Sequence, residues 1–447
     1  MNRAVIVLVH GGNGGAGFAS AAEKLFHPVL GRPLVSYVLA AAAGLRPGLI
    51  ALAVDDAGHD QAAGAAQALA EAAGRAPFAM IRPESRKGKR RPEIVSVLLG
   101  ASAALRKKRG ADVLLVPADR PLLQPGTLKS FLSVHRRQGC GLTLMTFGPD
   151  IDRDSVAAFR GEDLAPLLPA LATAGGESGL RVVAALLSAR GRKVGLTEVP
   201  RSSETMKVAG RADLARAARL LQRRKCETLA RRGVTLLDPL SAWIDWAAEL
   251  GPGTIVYPSV VIEGATRAGK NCRIYPHVHI TGSWIGNGVK VLGSTVLDDC
   301  RLEDDVQVGP FTRLRPGTVV RAGSKVGNFV EMKNTVFGPR SKAQHLSYLG
   351  DCLVEEDVNV GAGTITCNYD GVRKSRTYIG AGAFIGSGTE LVAPVKVGKR
   401  AYVAAGSTIT KDVSPSSLAI GRARQVEKPG WVLERVKKFK KITRARK

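Results

Sequence analysis

Between positions 308 and 409 the chain keeps a six-residue beat, and this beat constrains the fold more than any other feature. Val308, Leu314, Val320, Val326 and Met332 fall six apart, and after an interruption Ile379, Ile385, Leu391, Val397, Val403 and Ile409 resume the step. Glycine often follows the aliphatic residue, as at Gly309, Gly327, Gly380, Gly386 and Gly398. An α-helix would repeat every three or four residues, and an isolated strand every two. A fixed period of six with one aliphatic per unit is the pattern of hexapeptide repeats, which coil into a parallel β-helix with the aliphatic side chains stacked inward. Earlier hexads are less regular: Ile262, Ala268 and Ile274 are in phase, and the phase slips near Trp284.

The first half follows a different rule. Apolar runs at 4–9, 49–54, 113–116, 142–146 and 194–199 read as strands, separated by helical patterns at 34–43, 62–73 and 94–105. Such alternation predicts a doubly wound α/β unit with a mostly parallel sheet, whose ligands bind beyond the carboxyl ends of the strands. A glycine-rich turn at 11–17 and Asp119 both fall at that edge. A chain of 447 residues exceeds what one core can organise. The expected divisions are an α/β domain at 1–211, a linker helix at 212–232, a β-helix at 233–415 and a basic tail at 416–447. Leu214, Ala218, Leu221 and Cys226 give the linker helix a weak apolar stripe flanked by Arg216, Arg219, Arg223, Arg224 and Lys225.

The formal net charge is +27, from 65 Lys and Arg against 38 Asp and Glu. Such an excess attracts phosphates of any kind. The basic runs lack interleaved aromatics, so a stacking surface for single-stranded nucleic acid is not expected. The six cysteines have no metal-site or disulfide-frame spacing and read as free thiols. No apolar stretch is long enough to span a bilayer, and the expectation is a cytoplasmic protein.

Two places interrupt the hexads, 340–351 and 366–374, and interruptions of a solenoid are expected as functional loops. They bring His345 and Tyr348, then Asn368, Tyr369 and Lys374, near Arg315 and Lys333. Cations can hold a phosphate, and histidine accepts a proton near neutral pH. The runs at 311–317 (FTRLRPG), 326–333 (VGNFVEMK), 345–351 (HLSYLGD) and 361–371 (GAGTITCNYDG) resemble the bacterial bifunctional N-acetylglucosamine-1-phosphate uridyltransferase/glucosamine-1-phosphate acetyltransferases. The resemblance covers about 233–431. It implies a left-handed β-helix that assembles as a homotrimer, takes acetyl-CoA as co-substrate and acts on an amino-sugar phosphate. By motif, His345 is the implied general base. Arg315, Lys333, Tyr348, Asn359 and Lys374 are the implied sugar-phosphate contacts. Ala362, Asn368, Tyr369, Ser387, Ala405 and Arg422 are the implied acetyl-CoA contacts, with the Ala362 amide as oxyanion donor.

The first half departs from the same family. Its phosphate-binding turn should carry Thr and Arg where this chain has Gly14 and Gly15, and its uridine segment is replaced near 82–91 by a basic run. Lys24 keeps the place of the family's sugar-phosphate lysine. Asp119 stands where the family holds Mg²⁺, but the second metal ligand, an Asn, aligns with Ala209. The resemblance therefore implies an acetyltransferase whose nucleotidyltransferase-like domain has lost uridyl transfer, with Mg²⁺ required only if that domain works. Two other readings remain: a fully bifunctional enzyme, and a regulatory protein that binds anions or nucleic acid. A zinc hydratase on the same scaffold would need three convergent histidines, and His277 and His279, two residues apart at strand period, lie far from His345.

Overall fold

The computed structural model describes residues 5–10, 17–54, 56–83, 93–108, 110–152, 154–173, 179–197 and 203–445. The glycine positions 11–15 and the basic run 86–91 lie outside the described residues. The chain divides into two compact units, 1–231 with 243–248, and 232–242 with 249–447.

The first unit is built on a seven-stranded sheet: β1 (Val5–His10), β2 (Leu49–Ala53), β3 (Phe78–Ile81), β4 (Asp112–Pro117), β5 (Leu142–Thr146), β6 (Ser155–Arg160) and β7 (Val194–Thr197), in the order β3-β2-β1-β4-β6-β5-β7. β1 is buried throughout because both faces of the sheet are covered. Val5, Val7 and Val9 enter one core while Ile6 and Leu8 enter the other, as a two-residue period requires. β6 runs antiparallel to β4 and β5, and the strand pattern of the sequence did not disclose it. The helical pattern at 62–73 is two helices, Asp56–Gly64 and Ala66–Ala73, and that at 94–105 is Glu93–Gly100 and Ser102–Lys107. Each pair divides just after a glycine, the residue that most readily leaves helical geometry.

The expected linker is the helix Arg211–Arg231. Its Leu214, Ala217 and Leu221 share a core with Phe18, Leu34, Tyr37 and Val208. Lys225, expected on the solvated flank, is buried because its Nζ donates to the carbonyls of Trp246 (2.8 Å) and Ala248 (2.6 Å).

The second unit is a parallel β-helix. Its hexads become three stacked columns of buried aliphatics. One column runs Val291, Val308, Val326, Ala343, Val360, Ile385 and Val403, and every step is a parallel register pair. The second runs Leu297, Leu314, Met332 and Leu349, and the third Leu302, Val320, Phe337, Val354, Ile379 and Val397. Three hexads make one coil, so eighteen residues return the chain to the same face. Hydroxyls between hexads bond the next coil, as Ser324 Oγ does to the Gly338 carbonyl (2.7 Å) and Ser341 Oγ to that of Glu355 (2.8 Å).

Register separates the two interruptions. Lys325 pairs with Lys342, and Lys342 with Asn359, seventeen positions apart each time. The first interruption is therefore no loop. Residues Lys342–Gly350 form a nine-residue strand laid on Lys325–Lys333, and the phase shift reflects a coil one residue short. The second is a true insertion, because Asn359 pairs with Phe384, twenty-five positions on.

Candidate functional site

One corner column of the β-helix carries the chemistry. Two residues beyond the first aliphatic column lie Asn328, His345, Ala362, Ser387 and Ala405, one per coil. The Asn328–His345 pair is in direct register, and the others follow from the pairs Ala343–Val360, Val360–Ile385 and Ile385–Val403. His345 is exposed, and its Nδ1 lies 3.1 Å from Asn328 Oδ1. That contact orients the ring by its Nδ1 side. Asn328 was not singled out from the sequence, although it stands seventeen residues before the histidine, one short coil away. Among the described residues the Ala362 N–H meets no protein acceptor, while its carbonyl accepts from Gly388 N at 2.7 Å. The column thus sets a proton acceptor one rung from an available backbone donor, and beyond them a run of small side chains.

A second corner gathers cations. Arg315 follows Leu314 and Lys333 follows Met332, so they occupy adjacent rungs, and the next position on the ladder is Gly350. A Cβ at Gly350 would strike the Tyr348 hydroxyl, so glycine lets that ring lie over the rung. Lys374 reaches the same place from the insertion. The Lys333 ammonium is held below its ordinary value by contact with Lys374, by the charge of Lys374 and then by that of Arg315. Arg315 donates to Glu331 Oε1 at 2.9 Å. Burial works to raise the Asp351 carboxyl. Hydrogen bonds from Asn334 Nδ2 (2.6 Å) and Asn368 Nδ2 (2.5 Å), with the charges of Lys374 and Lys333, outweigh that and leave it below the usual carboxylate range. Crowded like charges in an open corner favour an anion that relieves their repulsion.

The other positions are more dispersed. Asn359 lies in the column-one strand between Lys342 and Phe384. Tyr369 is exposed, bridged antiparallel to Lys374 across the turn of the insertion, with its hydroxyl donating to the Gly371 carbonyl at 2.5 Å. Arg422 is exposed beside Gly406. His279 is hydrogen-bonded to Glu263 Oε2 (2.7 Å) and sits four rungs from the His345 strand, through Val296, Arg313, Glu331 and Tyr348.

In the α/β unit the expected metal ligand is already engaged. Asp119 Oδ2 accepts from Lys24 Nζ at 3.1 Å, and both side chains are at least 95% buried. Asp119 Oδ1 is buried without a hydrogen-bond partner. Arg120 is also shut in: it bonds the Thr205 carbonyl and Asp154 Oδ1 (2.8 Å) and covers the Phe147 ring. Lys207 joins the same Asp154 oxygen at 3.1 Å, and burial lowers the Arg120 pKa. Mg²⁺ needs several oxygen donors in octahedral array. Among the described residues this corner offers one carboxylate, already neutralised by an ammonium, and a methyl at Ala209, so most donors to a Mg²⁺ ion would have to be water and substrate phosphate.

Exposed histidine and crowded cations on a hexad-built β-helix define a transferase of the bacterial hexapeptide class, and residues 376–411 match the family model described as bacterial transferase hexapeptide (six repeats). The "Bifunctional protein GlmU" of Pelobacter propionicus is 36% identical over 98% of this chain and 99% of its own length. That of Thermotoga maritima is 42% identical over 73% of this chain and 80% of its own. That of Geotalea uraniireducens reaches 49% over 52% of this chain and 51% of its own. The chain belongs to the GlmU family.

Proposed function

We propose that the β-helix transfers an acetyl group from acetyl-CoA to the 2-amino group of glucosamine 1-phosphate, giving N-acetylglucosamine 1-phosphate for UDP-N-acetylglucosamine synthesis in the cytoplasm. The observation that carries this reading is the shared corner column of His345, Ala362, Ser387 and Ala405. Acetyl-CoA lies along its small side chains with the thioester beside His345. The amine nitrogen attacks the thioester carbon, His345 takes the nitrogen's proton, and the Ala362 N–H holds the oxyanion. The C–S bond then breaks, and the proton passes from His345 to the leaving thiolate. A general base contributes ~10²–10⁴-fold and an oxyanion donor ~10²–10³-fold. Arg315, Lys333, Tyr348, Asn359 and Lys374 bind the sugar phosphate, and Asn368, Tyr369 and Arg422 bind the coenzyme.

The working form is a homotrimer through the β-helix. Supporting this is an exposed apolar ladder on successive rungs beside the histidine: Phe311 and Phe329, stacked at 5.5 Å, then Leu346. Uridyl transfer is lost in the α/β unit, a reading supported by the buried Lys24–Asp119 pair and by Ala209. The full-length match to a relative printed as bifunctional favours a second reading, in which that unit also makes UDP-N-acetylglucosamine from UTP with Mg²⁺.

One preparation tests both. Thiol release from acetyl-CoA that depends on glucosamine 1-phosphate is expected. Pyrophosphate release from UTP and N-acetylglucosamine 1-phosphate with Mg²⁺ is not. Mg²⁺-dependent UDP-N-acetylglucosamine formation abolished by Asp119→Ala would establish the bifunctional reading instead.

A further inference from the structure

The last described element is the helix Trp431–Ala445, which follows an exposed segment from Gly421 to Gly430. Its first three turns present large apolar side chains to solvent: Trp431 is 50% exposed, Val432 65%, Leu433 69%, Val436 45% and Phe439 57%. Val432 and Val436 are one turn apart, and Phe439 is three positions on, so they share a face. The Arg435 guanidinium lies over the Trp431 ring at 4.9 Å and the Phe439 ring at 5.7 Å. Lys437 falls at helical spacing on the opposite side, which it shares with Leu433 one turn earlier, and the sequence places further basic residues at 441 and 444, one and two turns on. Glu434 is the only acidic residue in the helix.

A solvated structural helix would not show a contiguous apolar face of tryptophan, valine and phenylalanine. A nucleic-acid contact would use the lysines and leave that face idle. Aromatic and aliphatic residues on one side with lysines on the other are what a helix lying in a lipid headgroup layer requires. The lysines meet anionic headgroups, and the opposite face enters the acyl boundary. We propose that this helix docks the protein reversibly on an anionic lipid surface. The inference does not rest on the acetyltransferase reading.

The test is co-sedimentation of the full-length protein with phosphatidylcholine vesicles, with and without phosphatidylglycerol as about a third of the lipid. Binding is expected only to the anionic vesicles and should weaken as salt rises through the physiological range, where the screening length falls to about 8 Å. Val432→Asp with Val436→Asp keeps every lysine and touches only exposed positions. It should reduce vesicle binding about tenfold or more while thiol release is unchanged. Equal binding to both vesicle types, or anionic binding untouched by the double substitution, overturns the proposal. So does a double variant that loses no vesicle binding but shows a raised KM for acetyl-CoA, which would place the helix at the coenzyme. RNA binding that displaces the vesicles and survives the double substitution would make the helix a nucleic-acid contact.

Discussion

Lys24 and Lys333 hold matching positions by family resemblance, each placed for a sugar phosphate, yet their surroundings are opposite. Lys24 is buried against Asp119, its charge met inside the protein. Lys333 stands in an open corner where its strongest neighbours are Lys374 and Arg315. A cation crowded by cations is unsatisfied until an anion arrives, whereas a buried ion pair is complete without one. Arg120 repeats the first pattern with Asp154, and Arg315 is intermediate, sharing a half-exposed contact with Glu331. On the proposed reading, a phosphate bound in the β-helix corner relieves this repulsion. In the α/β unit the same residue types have become part of the core.

The largest expected effect breaks the core side of this comparison. Lys24→Ala leaves Asp119 charged and buried, which typically costs about 3–5 kcal/mol. Urea unfolding should show that loss in the α/β unit, and Lys24→Met with Asp119→Leu should recover most of it, since apolar replacement of both partners is tolerated. A loss under about 1 kcal/mol for Lys24→Ala, the range of an exposed pair, would mean that the pair opens in solution and the site is accessible.

Next in size is His345→Ala, expected to lower acetyl-transfer turnover at least about a hundredfold, near 2.7 kcal/mol. Asn328→Ala, which frees the ring's Nδ1 side, should reduce turnover by a smaller factor with the KM values little changed, whereas a purely structural asparagine would leave turnover in place. Below these stands Arg315→Ala. It removes a charged contact to phosphate, about 1.5–3 kcal/mol, and should appear as a KM for the sugar phosphate raised about tenfold or more with turnover little changed. Glu331→Gln releases the guanidinium from its carboxylate and should lower the same KM a few-fold. If both substitutions acted on turnover instead, the corner would be part of the chemistry and not of the binding.

The β-helix was legible because its period is local: each hexad states its own inward residue, and Val308, Leu314 and Val320 are all buried where the beat put them. The strand at Lys342–Gly350 was not, because a coil one residue short and a loop both disturb the beat, and only the register pairs distinguish them. For the same reason the Asn328–His345 contact stayed hidden until the coil length was known. Strand β6 was missed because its antiparallel place depends on β4 and β5, not on its own pattern. The burial of Lys24, Arg120 and Lys225 was equally out of reach, since each is held by a partner distant in sequence. The apolar ladder of Phe311, Phe329 and Leu346 fell between the aliphatic columns, at one residue per coil, so the six-residue beat did not mark it.

The smallest expected effect concerns Asp351, which stacks at the cation corner between Asn334 on the coil before and Asn368 on the coil after, and accepts from both. Burial would raise this carboxyl, but the two amides and the nearby lysines keep its folded value below the ordinary 3.8. A depressed folded value means that the deprotonated form stabilises the fold. The contribution is complete above the ordinary value and is lost as pH falls through the depressed one. Titration of the Asp351 carboxyl carbon by NMR should give a midpoint below 3.8, and the signals of the insertion should move with it. Lys374→Met removes one of the charges that hold the value down, so the midpoint should rise, while relief of Lys333 raises that ammonium toward its ordinary value. If the midpoint fell instead, Lys374 would not face this corner, and the crowding of cations that separates the β-helix from the α/β unit would be wrong.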